Sequence, residues 1–568
     1  MRGSHSQLSL LRVYLLTLLC FRCAGELPPS GGPIDTVPPK IAATYPEQNT
    51  VNFSDNKIIL EFDKYVEETS VEGSVFVSPS LGLLEFDWSG KRAEIHFSEK
   101  PRPNTTYVVN VGTDVVDTRN RNRMDRAYNL AFSTGGSIDS GSISGRVYDD
   151  QPGGVMIFAY HLDSLSRRTI DPSVEKPQYL TQTGKEGSFS LTHLSLGVYR
   201  LFAVRDEYKN LLYDIGVDQI GICQKDVVVD SNRPSIEKVD FQLTKEDTTR
   251  PQLFTATAPN RSHVVLHFSK PLDPKRFDRN AFSIVDTLTG EPLQTRDGFV
   301  DLQNLSSIVL VTSEQKPQIG YRVAVGSVFD TTGNALNSKS NSATFAGVSL
   351  PDSSGPRIVT ISIGDSARQI PFDARIELCF NDVVKRQDIE KGFSLFDSSG
   401  VRVSGVFQWE TSAAVGFVPR TELQSRVWYR LRLPLNTVRD LAGNHGKDSV
   451  IVRRFETVDK NQFGSLEGEV TDETGSKVQV AIILRAREVD ERDRRVFEAR
   501  LLGSGKFQIP RIAEGSYIVN AFRDDNNNGK YSFGKPFPFQ PSELFAFYPD
   551  TVKVRARWPV EGVVIHLR

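Results

Sequence analysis

The residues best suited to chemistry lie near the end of the chain, in the run RDDNNNGKYSFG from Arg523 to Gly534. Asp524, Asn526 and Asn528 occupy positions 1, 3 and 5 of a calcium-loop pattern, with Gly529 at the sharp sixth position. Calcium needs several hard oxygens, and alternate residues of a tight loop can turn theirs inward. The ninth position is Ser532, however, and the twelfth is Lys535, where a bidentate Glu belongs. With one carboxylate in the core pattern, a calcium site would be weak unless Asp525 or Glu543 joined it. An Asx- and Gly-rich turn between strands is the preferred reading, and no other cofactor is expected. The sister copy of this loop carries Tyr208 and Leu211 in place of Asn526 and Gly529, so it is not expected to bind.

The next segment interleaves Phe533, Phe537, Phe539, Phe545, Phe547 and Tyr548 with Pro536, Pro538 and Pro541. If Phe537 and Phe539 stand exposed, they offer a surface to a protein or a glycan. Packing of the loop over its own domain is the competing expectation. The eight histidines are scattered. His263 and His267 share one strand face but stand roughly 13 Å apart in β geometry, too far for one metal. They read as solvated or edge-strand residues. No G-x-S-x-G elbow, Walker loop or strand-borne G-x-G-x-x-G occurs. Catalytic residues are therefore not expected. The charged stretch REVDERDRR from Arg487 reads as a solvated hairpin tip.

At the other end, Arg2 and Arg12 precede the apolar run Val13 to Phe21, the shape of a secretory leader. Cys20 and Cys23 sit where a lipoprotein signal places its acylated cysteine, although Leu19 and Arg22 occupy positions that favour small residues. Cys23-Ala24-Gly25 also suits an ordinary signal peptidase, so lipidation at Cys23 and simple cleavage both stay open. The remaining cysteines, Cys223 and Cys379, fall in different domains, which excludes an intradomain disulfide framework.

The elements that must position these residues follow from composition and repetition. The chain has 568 residues, 68 Lys and Arg against 70 Asp and Glu, and a formal charge of −2. No net basic field exists to displace counterions from nucleic acid. A hydrophobic content of 39% is too rich for a disordered chain. No run after the leader is long enough to span a bilayer.

Two kinds of unit recur. The A repeat opens with DTVPP (Asp35), DTTRP (Asp247) or DSSGP (Asp352). An apolar strand follows, ending at Phe62, Phe268 or Phe380. Each copy closes with a strand led by Tyr107, Tyr321 or Tyr429, a turn at Asp117, Asp330 or Asp440, and a final strand through Phe132, Phe345 or Phe455. Recurrence of the turn aspartate in all three copies marks a structural cap. The B repeat opens with GSISGRVYD (Gly141) or GSLEGEVTD (Gly464), and Gly187–Gly216 aligns with Gly505–Gly534 at ten of thirty positions. Period-2 alternation predicts half-buried strands throughout. The order A-B-A-A-B predicts an all-β array of five tandem β-sandwiches, with a domain end at the last strand.

These motifs resemble known families. The D-x-x-P opener, Y-x-V-x-V strand and D-x-x-G-N turn resemble the SbsA-type bacterial Ig-like domain. The first A repeat departs from the pattern, with DTRNRN from Asp117. G-x-I-x-G-x-V and G-x-F-x-L-x-x-L-x-x-G-x-Y resemble the carboxypeptidase-regulatory or prealbumin-like sandwich. The leader followed by PPSGGPID (Pro28 to Asp35) resembles envelope lipoproteins of the Bacteroidetes group. The expected plan is a signal peptide over 1–23, a linker over 24–35, Ig-like domains over 36–136, 247–348 and 352–458, and prealbumin-like domains over 140–245 and 463–568. The resemblance implies a non-catalytic envelope protein, exported to the outer membrane or cell surface and lipid-anchored, with the periplasmic face also open. It would act as spacer, adhesion or scaffold, and five sandwiches could reach on the order of 150–200 Å. The alternative is a glycan- or protein-binding accessory module using prealbumin-like loops. An envelope protein or surface polysaccharide is the expected partner, the membrane only through the lipid, and nucleic acid is excluded. A hydrolase with a site between domains is the remaining alternative, and no nucleophile–base or metal constellation supports it.

Overall fold

A computed structural model describes residues 35–162, 169–447, 450–475, 479–490 and 495–568. The leader with Cys20 and Cys23 lies outside the described residues. Among the described residues the strands assemble into ten sheets that pair as five two-sheet sandwiches. Two compact bodies result. Among the described residues, one comprises those from Asp35 to Tyr213 with Ile220–Leu243 and Pro536–Pro538; the other comprises those of Asp214–Gln219, Thr244–Lys535 and Phe539–Arg568. No helix among the described residues is long and apolar enough to cross a membrane.

Each A repeat pairs a four-stranded antiparallel sheet with one built around the Tyr-led strand, which has three strands in the first two copies and four in the third. In the second copy the first sheet runs Leu253–Asn260, His263–Phe268, Ser307–Thr312 and Thr295–Val300, in that spatial order. Alternation buries every second residue, as in Tyr321, Val323 and Val325 of the strand Gly320–Val325. The corresponding strand Thr106–Val111 is buried on both faces, because the first B repeat covers its outer side. Its near-continuous apolar sequence, TYVVNV, reflects that second cover. Short helices, Glu68–Glu72 and Arg386–Gly392, cross between the sheets in the first and third copies. They are too short to show in a hydrophobic period.

The recurring tyrosine has one role in all three copies. Its hydroxyl accepts a backbone N–H five residues upstream: Arg102 to Tyr107 at 2.7 Å, Lys316 to Tyr321 at 2.9 Å and Gln424 to Tyr429 at 2.8 Å. Its ring stacks on the final-strand phenylalanine at centroid distances of 5.6, 5.4 and 5.5 Å. The hydroxyl thus pins a loop while the ring fills the core. Tyr429→Phe keeps the ring and strands the Gln424 N–H, so a urea melt of the third A repeat should lose about 1 kcal/mol.

In each B repeat the opening strand, Gly141–Tyr148 or Phe463–Asp472, lies between an antiparallel neighbour and a parallel one. Gly145 and Gly468 permit that approach, since a Cβ on either would lie 1.9 Å from the carbonyl of Val239 or Val563. Tyr199 and Tyr517 each donate to a carbonyl four residues back, at 2.8 and 2.9 Å. The two copies therefore share turn chemistry as well as pattern.

Candidate functional site

The loop that follows the strand Gly515–Asp524 is closed by its own amides. Asp524 is buried, and its two carboxylate oxygens accept the N–H groups of Asn528 (2.9 Å) and Gly529 (3.0 Å). Asn526 Oδ1 also accepts from Asn528, and Asn528 Oδ1 accepts from Lys530 at 2.6 Å. Glu543 closes the far side, taking the N–H groups of Asp525 and Ser532, both at 2.9 Å. Burial raises the pKa of Glu543 against those bonds, and the Asp524 charge adds to the rise. The structure thus brings Asp524, Asn526, Asn528 and Glu543 into one loop.

The sister loop has the same geometry in spite of its different sequence. Asp206 accepts from Asn210 (3.2 Å) and Leu211 (2.8 Å), and Asn210 Oδ1 accepts from Leu212 at 2.8 Å. Leu211 takes φ of 62° where Gly529 takes 74°. The capping aspartate dictates the turn and the leucine bears a left-handed backbone. Gly529→Leu should therefore cost about 1 kcal/mol in thermal or urea melts, although a Cβ at Gly529 would meet no atom within 4 Å.

The aromatic segment divides. Tyr531 gathers Phe522, Phe533 and Phe545 at 5.8, 4.8 and 5.5 Å, which packs this part of the loop onto its own sandwich. Phe537 is 47% exposed and Phe539 is half-buried. The described thiols, Cys223 and Cys379, are both free. Burial pushes Cys223 up to about 12 and raises Cys379 too, so neither is a ready nucleophile.

The recurring aspartates cap their turns. Asp117, Asp330 and Asp440 are 3%, 1% and 1% exposed. Their oxygens accept the backbone and side-chain N–H groups of the turn, including Nδ2 of Asn122, Asn334 or Asn444. The same Asn side chain donates to the carbonyl of the opening aspartate, Asp35, Asp247 or Asp352, at 2.8, 2.8 and 3.2 Å. Opener and turn motif are therefore one knot. A lysine completes it in two copies: Lys64 bonds Asp35 at 2.7 Å, and Lys270 bonds both Asp247 and Asp330.

The joints between repeats carry the most distinctive chemistry. In the first body the joint is polar. Gln182 Oε1 accepts from Thr113 N at 2.6 Å and Thr113 Oγ1 at 3.1 Å, while Asn110 Nδ2 donates to Thr181 Oγ1 at 3.0 Å. These groups are nearly fully buried. A cleft of about 700 Å³ opens beside them, lined in part by Pro38, Arg126, Tyr128, Lys185 and Glu186.

In the second body the joint of the second and third A repeats is apolar. Phe299 and Val311 of the second copy belong to one buried cluster with Ile376, Leu378, Val415 and Phe417 of the third. Ser412 Oγ donates across it to Asp297 at 3.0 Å. His263 also lies in this joint, 6% exposed on an interior strand of its sheet. That corrects the expectation of a solvated or edge-strand residue: the third repeat covers the ring. His267 is half-buried and bonds Ser307 Oγ at 2.9 Å.

The bacterial Ig-like domain family matches residues 35–134 and 352–457, the first and third A repeats. No curated protein matches the chain. Among solved structures, the N-terminal part of the bacterial S-layer protein SbsC is 14% identical, with 37% of this chain and 44% of that one covered at a TM-score of 0.17. Domains 1–6 of SbsC are 8% identical over 92% of this chain and 67% of that one, with a TM-score of 0.16. An L,D-transpeptidase from Mycobacterium smegmatis is 12% identical over 37% and 90%, with a TM-score of 0.14. This chain spans less than half of the N-terminal SbsC structure. None of these likenesses bears on activity.

Proposed function

We propose that the chain is a non-catalytic exported protein of the cell envelope, tethered by lipid at Cys23, that serves as a spacer, adhesion or scaffold. The observation that carries this reading is the apolar joint of the second and third A repeats, where Phe299 is buried in its neighbour's core. A joint built that way resists bending, which a spacer needs and a flexible linker lacks. The two Ig-like matches and the raised thiol pKa values agree with a structural role. The test is intact mass of the processed protein from its native envelope, with and without Cys23→Ala. Acyl mass that disappears with the substitution supports the anchor; a mature N-terminus at Glu26 without acyl mass overturns it.

A second reading rests on the exposed ring of Phe537. As a binding accessory module, the second B repeat would hold an envelope protein or surface polysaccharide through Phe537 and Phe539. Glycan arrays and pull-downs with both changed to Ala should then lose capture, and unchanged capture contradicts it.

A further inference from the structure

We infer that His263 of the second A repeat supplies the cation that the third A repeat lacks, so that a bound proton latches the joint between them. The starting point is an exchange at one repeat position. Lys64 and Lys270 each stand two residues after the phenylalanine that ends the apolar strand, Phe62 or Phe268. The same count from Phe380 reaches Asp382. The third knot thus has Asp352, Asp382 and Asp440 together, with a carboxylate where its sisters have an ammonium.

His263 fills that role from the neighbouring repeat. Its Nε2 lies 3.0 Å from Asp382 Oδ1, and its Nδ1 lies 2.9 Å from Asn260 Oδ1 and 3.8 Å from Asp352 Oδ2. Asn260 Oδ1 accepts the Ser262 N–H at 2.9 Å, which fixes that atom as the oxygen. Asp382 Oδ1 likewise accepts the Val383 N–H at 2.6 Å. Both ring nitrogens therefore face acceptors. A neutral imidazole carries one N–H and would set a lone pair against an oxygen; an imidazolium donates at both positions. The ring and the Asp352 and Asp382 side chains are each 8% exposed or less, so no water screens a mismatch.

The electrostatics run the same way. Burial disfavours charge on His263, but the bond to Asp382 and the charges of Asp382, Asp352 and Asp440 outweigh it and raise its pKa. Burial raises Asp352 as well, with Asp382 and Asp440 adding and His263 opposing. The opposite holds where a lysine is present: Lys64 lowers Asp35, and Lys270 lowers Asp247. Other charges near the joint are engaged elsewhere, Arg261 with Glu314 at 3.0 Å and Arg439 with Asp388 at 2.8 Å. Asp440 is held by Asn444. A histidine whose folded pKa is raised contributes stability in full below its unfolded pKa, about 6.5, and loses it as pH climbs through the folded value. Asp352 is displaced in the same direction. The latch closes in acid and loosens in alkali.

Hydrogen–deuterium exchange on the full chain in EDTA, corrected for intrinsic base catalysis, tests this. Protection of residues 381–384, where the amides of Asn381 and Val384 are bonded, should be lost progressively as pH rises from 6 to 9. His263→Gln should show the low protection at both pH values, and His263→Lys the high protection at both. A flat wild-type profile, or a His263→Gln profile like the wild type, overturns the inference. Should the variants fail to fold, histidine ¹³Cε1 titration of the wild-type chain decides. One ring should titrate above the ordinary histidine value of about 6.5, and none of the eight doing so refutes the latch.

Discussion

Asp330→Ala is expected to destabilise the second A repeat by about 3 kcal/mol, far more than Asp440→Ala destabilises the third. Asp330 accepts from Thr332 N, Thr332 Oγ1, Asn334 N and Asn334 Nδ2, and pairs with Lys270 at 2.7 Å. Removing it strands turn donors and deprives a largely buried ammonium of one of its two carboxylates. Breaking a buried pair costs about 3–5 kcal/mol, and the lower end applies because Lys270 keeps Asp247. Asp440 caps through Asn444, with His263 as well as Asp352 and Asp382 near it, and among the described residues has no lysine bonded to it, so its removal loses hydrogen bonds without depriving a directly bonded ammonium of its partner. A cost of about 1 kcal/mol is expected there. Repeat-resolved hydrogen exchange in a urea series would measure both, and equal costs would contradict the charge argument. The pH dependence has a definite sign. Burial would raise Asp330, but Lys270, Thr332 and Asn334 hold it at about 2, so its contribution stands above about pH 4 and fades as pH falls towards 2.

Phe299→Ala is expected to loosen two repeats at once. The ring is 3% exposed on the strand Thr295–Val300 and is buried with the core of the third A repeat. Emptying such a site costs about 3–5 kcal/mol, through lost burial and the cavity left behind. Because the cavity faces the neighbour, exchange should rise in Ile376–Phe380 and Ala414–Pro419 as well as in Thr295–Val300. A rise confined to the second repeat would show that the joint transmits nothing.

Much of this was legible in the chain. Alternation located the strands, and the recurring Tyr, Phe, Asp and Asn marked the positions that pin one loop and one turn in every A repeat. Spacing along the chain cannot report what lies across a joint. His263 looked solvated because the carboxylates that hold it come from another repeat. Alternation predicts a half-buried strand over Thr106–Val111, and the cover on its second face comes from the first B repeat. The exchange of Lys64 and Lys270 for Asp382 stood in plain view, yet its meaning required knowing that the position faces two other aspartates. Leu211 shows the converse: its sequence hides a turn that the capping aspartate imposes.

The most direct test of a rigid joint between the second and third A repeats is native-state hydrogen exchange of the full chain across a urea series. If the second and third A repeats behave as one cooperative body, protection in His263–Phe268 and Ile376–Phe380 collapses together, at one urea concentration. Collapse at two separate concentrations would mean independent beads, and the structural role drawn from the joint would be wrong.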